Sequence, residues 1–267
     1  MHRKTILITG ATEGIGKLVA TDLASRFKDA NILIHGRNKE KLETTSDQIK
    51  KKTGNLNIQI YLADFSSMKD VRKMATEILA DHDSLDLLIN NAGAGFAAPR
   101  LGKDGTETRF TVNYLAPFLL TQLLLPAIQK AVSSRIVNVA SAGQSPIHFD
   151  DVMMDKNFDG VTAYTRSKLA IIMFTLDLAE NLKTVTVNCL HPGTYLDTGM
   201  VRESGIQPLG TAQSGADAVV YLAVSAELQN VSGKYFNVKK ETRANAQAYD
   251  KDARRKLEKI GLELTEL

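Results

Sequence analysis

Short β-branched apolar runs alternate along the chain with longer segments in which apolar residues recur at helical spacing. The short runs lie at residues 5–9, 32–35, 58–61, 85–90, 136–140, 185–190 and 235–238. A charged helical segment lies near 246–260, and amphipathic segments fill the intervals between runs, near 15–28, 38–52, 67–80, 106–130, 162–182 and 212–226. This order predicts an α/β fold in which a seven-stranded parallel sheet has helices on both faces.

Two connections, at 142–161 and 194–211, are longer than the others. Both follow the carboxyl ends of predicted strands, where open parallel sheets bind their ligands. Together with residues 95–105, they are predicted to form the walls of a substrate pocket. Their apolar side chains indicate a fairly hydrophobic substrate. No linker or repeat interrupts residues 1–267, so we expect a single domain.

Composition and charge indicate a soluble globular protein that does not bind nucleic acid. The 267 residues are 43% hydrophobic and 24% charged, which is typical of a soluble globular protein, and the net charge is only +3. Basic and acidic residues are mixed, so a small anionic ligand is expected rather than nucleic acid. Cys189 is the only cysteine and the histidines are scattered, so neither a disulfide nor a metal site is expected. We expect a cytoplasmic protein with no signal peptide and no membrane span.

A glycine-rich turn lies between the first predicted strand and the first predicted helix. Its residues are Gly10, Ala11, Thr12, Glu13, Gly14, Ile15 and Gly16. Glycine permits a tight turn, lets backbone N–H groups approach a phosphate and allows close contact between helix and sheet. The G-x-x-x-G-x-G spacing predicts a dinucleotide site, with an ordinary strand-to-helix turn as the alternative.

The end of the second predicted strand indicates which dinucleotide is bound. An acidic residue there would bind a ribose 2′-hydroxyl, but this chain has His35, Gly36, Arg37 and Asn38. The Arg37 guanidinium can bind a 2′-phosphate through two hydrogen bonds, which favours NADP(H) over NAD(H). The alternative is that Arg37 only begins a solvated helix. Glu13 would oppose a 2′-phosphate if its carboxylate pointed toward it.

Tyr164 and Lys168 lie one turn apart on a predicted helix, and Ser141 follows a predicted strand. A phenol with a pKa of about 10 needs a stabilised phenolate to act as an acid or base near neutral pH. Lys168 could hold a positive charge near the phenol oxygen, and Ser141 could bind a substrate oxygen. The alternative is a half-buried aromatic residue beside a solvated lysine.

These motifs resemble the short-chain dehydrogenase/reductase family from Thr5 to about Val238. The motifs occur in the order typical of the family: the glycine turn, Asp64, the run from Asn90 to Gly93, Asn113, Ser141, Tyr164, Lys168 and Pro192-Gly193. Three segments resemble the retinol-dehydrogenase-like branch of this family: the one ending at Ser141, the run from Ser167 to Ala170 and the run from His191 to Thr194. The resemblance implies a doubly wound, Rossmann-type fold.

The resemblance also implies catalytic roles. Tyr164 would be the acid/base, Lys168 would lower its pKa and hold the nicotinamide ribose, and Ser141 would bind the reacting oxygen. Asn113 would complete a proton relay. An alternative for Asn113 is a helix kink caused by Pro117, which lacks an N–H donor, and both interpretations can hold together.

Further residues are implied in cofactor binding. Asp64 would bind the adenine amino group beside Phe65, or else cap a helix. The cofactor would also be lined by two turn segments, which could alternatively be turns alone: Asn91, Ala92 and Gly93, and Pro192, Gly193 and Thr194. The family usually has Thr or Ser four positions after Gly193, where this chain has Asp197 followed by Thr198.

The implied activity is NADP-dependent interconversion of an aldehyde or ketone with an alcohol. The alternative is a non-catalytic NADP-binding sensor of the same fold. An epimerase or dehydratase is disfavoured because the chain lacks a large C-terminal substrate domain. Family members often pair through the helices corresponding to 106–130 and 162–182, so a homo-oligomer is a further expectation.

Overall fold

The computed structural model describes residues 3–267, and within them eight strands form one sheet. Their order across the sheet is β3-β2-β1-β4-β5-β6-β7-β8. The strands are β1 Thr5–Ile8, β2 Asn31–Gly36, β3 Ile58–Leu62, β4 Leu87–Asn90, β5 Ser134–Val139, β6 Val185–His191, β7 Lys234–Asn237 and β8 Lys240–Thr242.

The first seven strands are parallel, as predicted, and β8 pairs antiparallel with β7. The prediction of seven strands therefore missed one. Strand β8 has three residues, all polar and all exposed, so it has no alternation of apolar and polar positions. Its pairing depends on the tight turn after β7, where Val238 has a φ of 57°.

Helices connect the strands on both faces of the sheet. They are α1 Gly14–Arg26, α2 Lys39–Thr53, α3 Met68–Asp81, α4 Thr108–Phe110, α5 Ala116–Lys130, α6 Gly160–Asn181, α7 Gly199–Glu203, α8 Ala212–Val224 and α9 Lys251–Thr265. The helix predicted near 106–130 is divided, because a π-helix at Thr111–Leu115 separates α4 from α5. The helix predicted near 246–260 begins later, at Lys251, because Asp250 caps it after a 3₁₀ turn.

Two apolar layers enclose the sheet. In β1, Leu7 packs into the layer with α3, α5 and α6, whereas Ile6 and Ile8 pack into the layer with α1, α2 and α8. Successive side chains of a strand point to opposite faces, so a sheet covered on both sides needs continuous apolar strands. This arrangement confirms the predicted single-domain, doubly wound fold.

The strand order reverses between β1 and β4, and the loops after these strands are in contact. The Thr9 N–H donates to the Ile89 carbonyl at 3.0 Å. A Cβ atom on Gly10 would lie 2.7 Å from the Ala92 Cα atom. Ligands of open parallel sheets bind at such a reversal, so the fold places the candidate site here.

Helix α9 lies against α5, α6 and the π-helix. The Tyr114 hydroxyl donates to the Leu257 carbonyl at 3.1 Å. The buried Arg254 guanidinium lies 3.2 Å from the Asp177 carboxylate and 2.8 Å from that of Glu180. The chain therefore covers part of its own α5 and α6 surface with its C-terminal helix.

One helical stretch of the described chain, Thr108–Lys130, is long and apolar enough to cross a membrane by length and composition. The sequence predicts no membrane span. In the fold, 72% of an apolar 18-residue segment within this stretch is buried, as in the core helix of a soluble protein. The stretch is therefore weak evidence for a membrane span.

Candidate active site

The glycine turn has the backbone geometry that a pyrophosphate site needs. Gly10 and Gly14 have φ angles of 64° and 53°. A Cβ atom on Gly16 would lie 2.3 Å from the Gly10 carbonyl oxygen, so glycine is required for this close contact. Glu13 is the N-cap residue of α1, but its side chain accepts no hydrogen bond from the first turn. The first-turn N–H groups therefore lack a capping side chain and fit an anionic group.

Asn91 supports this turn from the neighbouring strand. Its side-chain Nδ2 donates to the carbonyl oxygens of Thr9, at 2.8 Å, and Gly10, at 3.0 Å. Its backbone N–H donates to the Thr9 hydroxyl at 2.9 Å. The Asn91 side chain thus shapes the glycine turn, while Ala92 packs against Gly10.

Two residues after the end of β2 differ in their contacts: Arg37 and Asn38. Arg37 is exposed, and no acceptor within residues 3–267 holds its guanidinium. Asn38 caps α2, because its Oδ1 accepts from the Lys41 N–H at 2.9 Å. Glu13 lies 3.3 Å from the Lys41 ammonium, so a cation partly neutralises the carboxylate that would oppose a 2′-phosphate.

Asp64 lies after β3, but it does not cap α3. Ser67 is the N-cap residue of that helix, so the capping alternative for Asp64 is wrong. The Asp64 Oδ1 accepts from the Ser66 N–H and hydroxyl at 3.0 and 2.8 Å, and its Oδ2 lies 3.1 Å from the Lys103 ammonium. Burial raises the pKa of Asp64, but these hydrogen bonds and the lysine charge outweigh it and leave the pKa below its usual value. Phe65 is buried and stacks on His35 with 4.0 Å between ring centroids.

Asn113 lies in the π-helix, which widens the helix at this point. Its Oδ1 accepts from the Ala94 N–H at 2.7 Å, and its Nδ2 donates to the Ala94 carbonyl at 3.0 Å and to the Ser167 hydroxyl at 2.8 Å. The Ser167 hydroxyl donates to the Tyr164 carbonyl at 2.7 Å. Ser167 therefore joins Asn113 to the backbone of Tyr164. The sequence marks Ser167 only as the start of the run to Ala170 and assigns it no role at the site.

Ser141, Tyr164 and Lys168 come together beside the carboxyl end of β5. The Ser141 side chain lies near enough to Tyr164 to lower the pKa of its phenol, and the Lys168 ammonium lies 5.7 Å from the centre of the Tyr164 ring. The Lys168 Nζ donates to the Val139 carbonyl at 3.0 Å. Tyr235 holds the other side of Ser141 by donating to its carbonyl at 2.9 Å.

The electrostatics of this group differ from the prediction. Burial lowers the pKa of Lys168 to about 8. Burial also raises the pKa of Tyr164, and the Ser141 side chain only partly opposes this. The prediction that Lys168 makes the phenol acidic is therefore not met by the protein residues alone.

Residues of the 93–96 segment and of the 194–211 connection lie beside this site. A Cβ atom on Gly93 would lie 3.6 Å from both the Lys168 Nζ and the Met200 Cε. The Phe96 ring lies edge-on to the Tyr164 ring with 5.9 Å between centroids. Residues 194–211 are not wholly a loop, because they include α7. Thr198 lies against Gly14 of the glycine turn, and the Thr194 hydroxyl is hydrogen-bonded to the His191 Nε2 at 3.1 Å.

The sequence model of the short chain dehydrogenase family matches residues 4–208 of this chain. This chain belongs to that family. Its retinol-dehydrogenase-like character is also shown, because relatives carrying that name match most of the chain. Mouse retinol dehydrogenase 13 is 36% identical over 274 residues, which cover 95% of this chain and 81% of that protein. Human retinol dehydrogenase 14 is 36% identical over 288 residues, which cover 96% of this chain and 84% of that protein.

Solved structures show the same fold. An uncharacterized protein from Mycobacterium paratuberculosis superposes with a TM-score of 0.80 at 26% identity, covering 98% of this chain and 93% of the other. A short chain dehydrogenase from Escherichia coli CFT073 complexed with NADPH has a TM-score of 0.72 at 27% identity, covering 90% of this chain and 98% of the other. As a member of this family, the chain is an oxidoreductase whose fold binds a nicotinamide cofactor.

Proposed function

We propose that this chain is an NADP(H)-dependent enzyme that interconverts a fairly hydrophobic aldehyde or ketone with its alcohol. The main support is the group formed by Ser141, Tyr164 and Lys168 near the glycine turn. Retinal and retinol are the first substrate pair to test, because retinol dehydrogenases are among the relatives. A cytoplasmic setting is part of the same proposal and agrees with the free, buried thiol of Cys189.

The protein residues would handle the proton. Ser141 would hold the substrate oxygen, and Tyr164 would give that oxygen a proton during reduction or remove it during oxidation. The nicotinamide, when bound, supplies or accepts the hydride and carries a positive charge in its oxidised form. Lys168 would hold the ribose, while Asn113 and Ser167 fix the backbone next to the phenol.

Three features favour NADP(H). Arg37 is exposed and available for a 2′-phosphate. Lys41 pairs with Glu13, which reduces the repulsion expected from that carboxylate. Solved structures similar to this chain include complexes with NADP and NADPH. Asp64 would bind the adenine amino group beside Phe65, with Lys103 holding the carboxylate in its ionised form.

Two measurements on the same samples test the function. Fluorescence titration should show tighter binding of NADPH than of NADH, and Arg37→Ala should remove this difference. NADPH absorbance should then fall when retinal or another apolar carbonyl is added. Equal binding of both cofactors would refute the NADP preference. Tight NADPH binding without turnover on a broad carbonyl panel would instead favour the non-catalytic sensor.

A further inference from the structure

We infer that Arg109 is a positioning residue that holds Phe96 against Tyr164 and so fixes one apolar wall of the substrate pocket. This inference rests on the proposed function and concerns its substrate specificity. Arg109 belongs to no sequence motif discussed above. It lies in α4, immediately before the π-helix that carries Asn113.

Arg109 forms a fully buried ion pair. The side chains of Arg109 and Glu107 are each 1% exposed, and the Arg109 Nη1 lies 2.8 Å from the Glu107 Oε1. The Glu107 Oε2 accepts from the Phe110 N–H at 2.7 Å and thereby caps α4. A buried ion pair is costly unless its other polar groups are also bonded, so the remaining contacts of the guanidinium are informative.

The other hydrogen bonds donated by the two terminal nitrogens of Arg109 are all made to one loop. The Arg109 Nη1 donates to the Pro99 carbonyl at 3.1 Å, and Nη2 donates to the Phe96 carbonyl at 2.8 Å and to the Ala98 carbonyl. One planar guanidinium thus binds three carbonyl oxygens within four residues. Lysine could not reproduce this pattern, because its single nitrogen lacks the rigid fork.

The same loop contacts Tyr164, and Arg109 contacts the end of the 142–161 connection. The Phe96 ring packs edge-on against Tyr164. A Cβ atom on Gly160, the first residue of α6, would lie 2.7 Å from the Phe96 carbonyl oxygen. The Phe158 ring lies 5.2 Å from the Arg109 guanidinium. Arg109 therefore joins residues 96–99 to the start of the helix that carries Tyr164.

This arrangement predicts which substrates depend on Arg109. A long apolar aldehyde bound at Tyr164 would extend along the Phe96 ring, whereas a three-carbon aldehyde would end before it. Moving Phe96 should therefore weaken binding of long substrates. Cofactor binding and the proton step should be spared, because neither uses the carbonyls that Arg109 holds.

The test compares decanal with propanal in Arg109→Lys, which keeps the charge opposite Glu107 but loses the fork. The KM for decanal should rise about tenfold, while kcat and the NADPH Kd change less than about twofold and the propanal KM is unchanged. In a Phe96→Ala background, Arg109→Lys should add little, because both changes act on the same ring. Arg135→Lys is the matched control, since Arg135 also donates to a backbone carbonyl, that of Leu222, away from the pocket.

Gly160→Ala provides a second variant that leaves every charge in place and pushes on the Phe96 carbonyl, so it serves if Arg109→Lys does not fold. An equal rise in KM for both aldehydes, or additive effects of Arg109→Lys and Phe96→Ala, would overturn the inference. If the wild type reduces neither aldehyde, the proposed function fails on its own account. Hydrogen exchange of the 94–100 amides then decides the role of Arg109: faster exchange in both variants supports it, and unchanged exchange refutes it.

Discussion

The Gly10 N–H donates a hydrogen bond to the Nδ1 atom of His35 at 3.2 Å, which joins the glycine turn to β2. Because Nδ1 accepts, the proton of the neutral ring lies on Nε2, 3.1 Å from the Ala63 carbonyl oxygen. Burial lowers the pKa of His35 to about 4. A neutral histidine therefore holds Gly10, the first residue of the glycine turn.

Acid should destabilise the fold through His35. Its pKa falls from 6.5 to about 4 on folding, so the unfolded chain binds more protons between these values. The stability from this group is present above pH 6.5 and is lost as the pH falls toward 4. Urea unfolding of wild type should show about 2 kcal/mol more loss between pH 7 and pH 4.5 than His35→Gln, which does not titrate. Identical losses in the two proteins would contradict this assignment.

Tyr164→Phe should abolish turnover and leave NADPH binding intact. The change removes only the hydroxyl that would exchange a proton with the substrate, so kcat should fall by about 10³-fold or more. NADPH oxidation with an apolar aldehyde measures the loss, and fluorescence titration checks the cofactor. Tyr249→Phe, a change at an exposed tyrosine, is the matched control. Retained turnover in Tyr164→Phe would exclude the tyrosine mechanism.

Lys168 should lower the stability of the protein at neutral pH. Its pKa is 10.5 in the unfolded chain and about 8 in the fold, so burial of the charged form is unfavourable below pH 8. This penalty disappears as the pH rises from 8 to 10.5. Lys168→Met should therefore be inactive yet more stable by about 2 kcal/mol at pH 7, after allowance for the lost hydrogen bond to Val139. Thermal unfolding at pH 7 and pH 10 measures this effect, and an equal gain at both values would exclude the charge as its cause.

Gly261→Ala should destabilise the protein, although alanine normally favours a helix over glycine. The added Cβ would lie 2.7 Å from the Tyr114 hydroxyl oxygen and 3.2 Å from the Phe118 ring, so α9 would have to move. We expect a loss of about 1–3 kcal/mol in the free energy of unfolding. Lys259→Ala, on the exposed side of α9, is the control and should change stability by less than about 0.5 kcal/mol. A more stable Gly261→Ala protein would show that α9 does not pack as described.

Local pattern predicted the fold and indicated the residues of the candidate site. The glycine turn, the strand alternation and the Tyr164–Lys168 spacing are all set by residues close in sequence. Asn113 and Pro117 indicated a disturbed helix, and the structure shows that its form is a π-helix.

The features that pattern did not predict depend on contacts between distant segments. Ser167 acquires its role from Asn113 in the π-helix, and Arg109 acquires its role from the loop that folds against it. The raised pKa of Tyr164 follows from burial, which residue spacing cannot reveal. Strand β8 has no apolar pattern of its own and forms only because β7 offers it an edge.

That edge pairing leaves the two margins of the sheet unequal. Strand β8 is short and carries Lys240 and Glu241, two features that discourage strand addition from another molecule. The opposite margin is β3, where Ile60 and Leu62 are 36% and 48% exposed. Intermolecular strand pairing, and with it aggregation at high concentration, is therefore expected to begin at β3. A charged residue in place of the exposed Leu62 should raise the solubility of the protein and leave its activity unchanged.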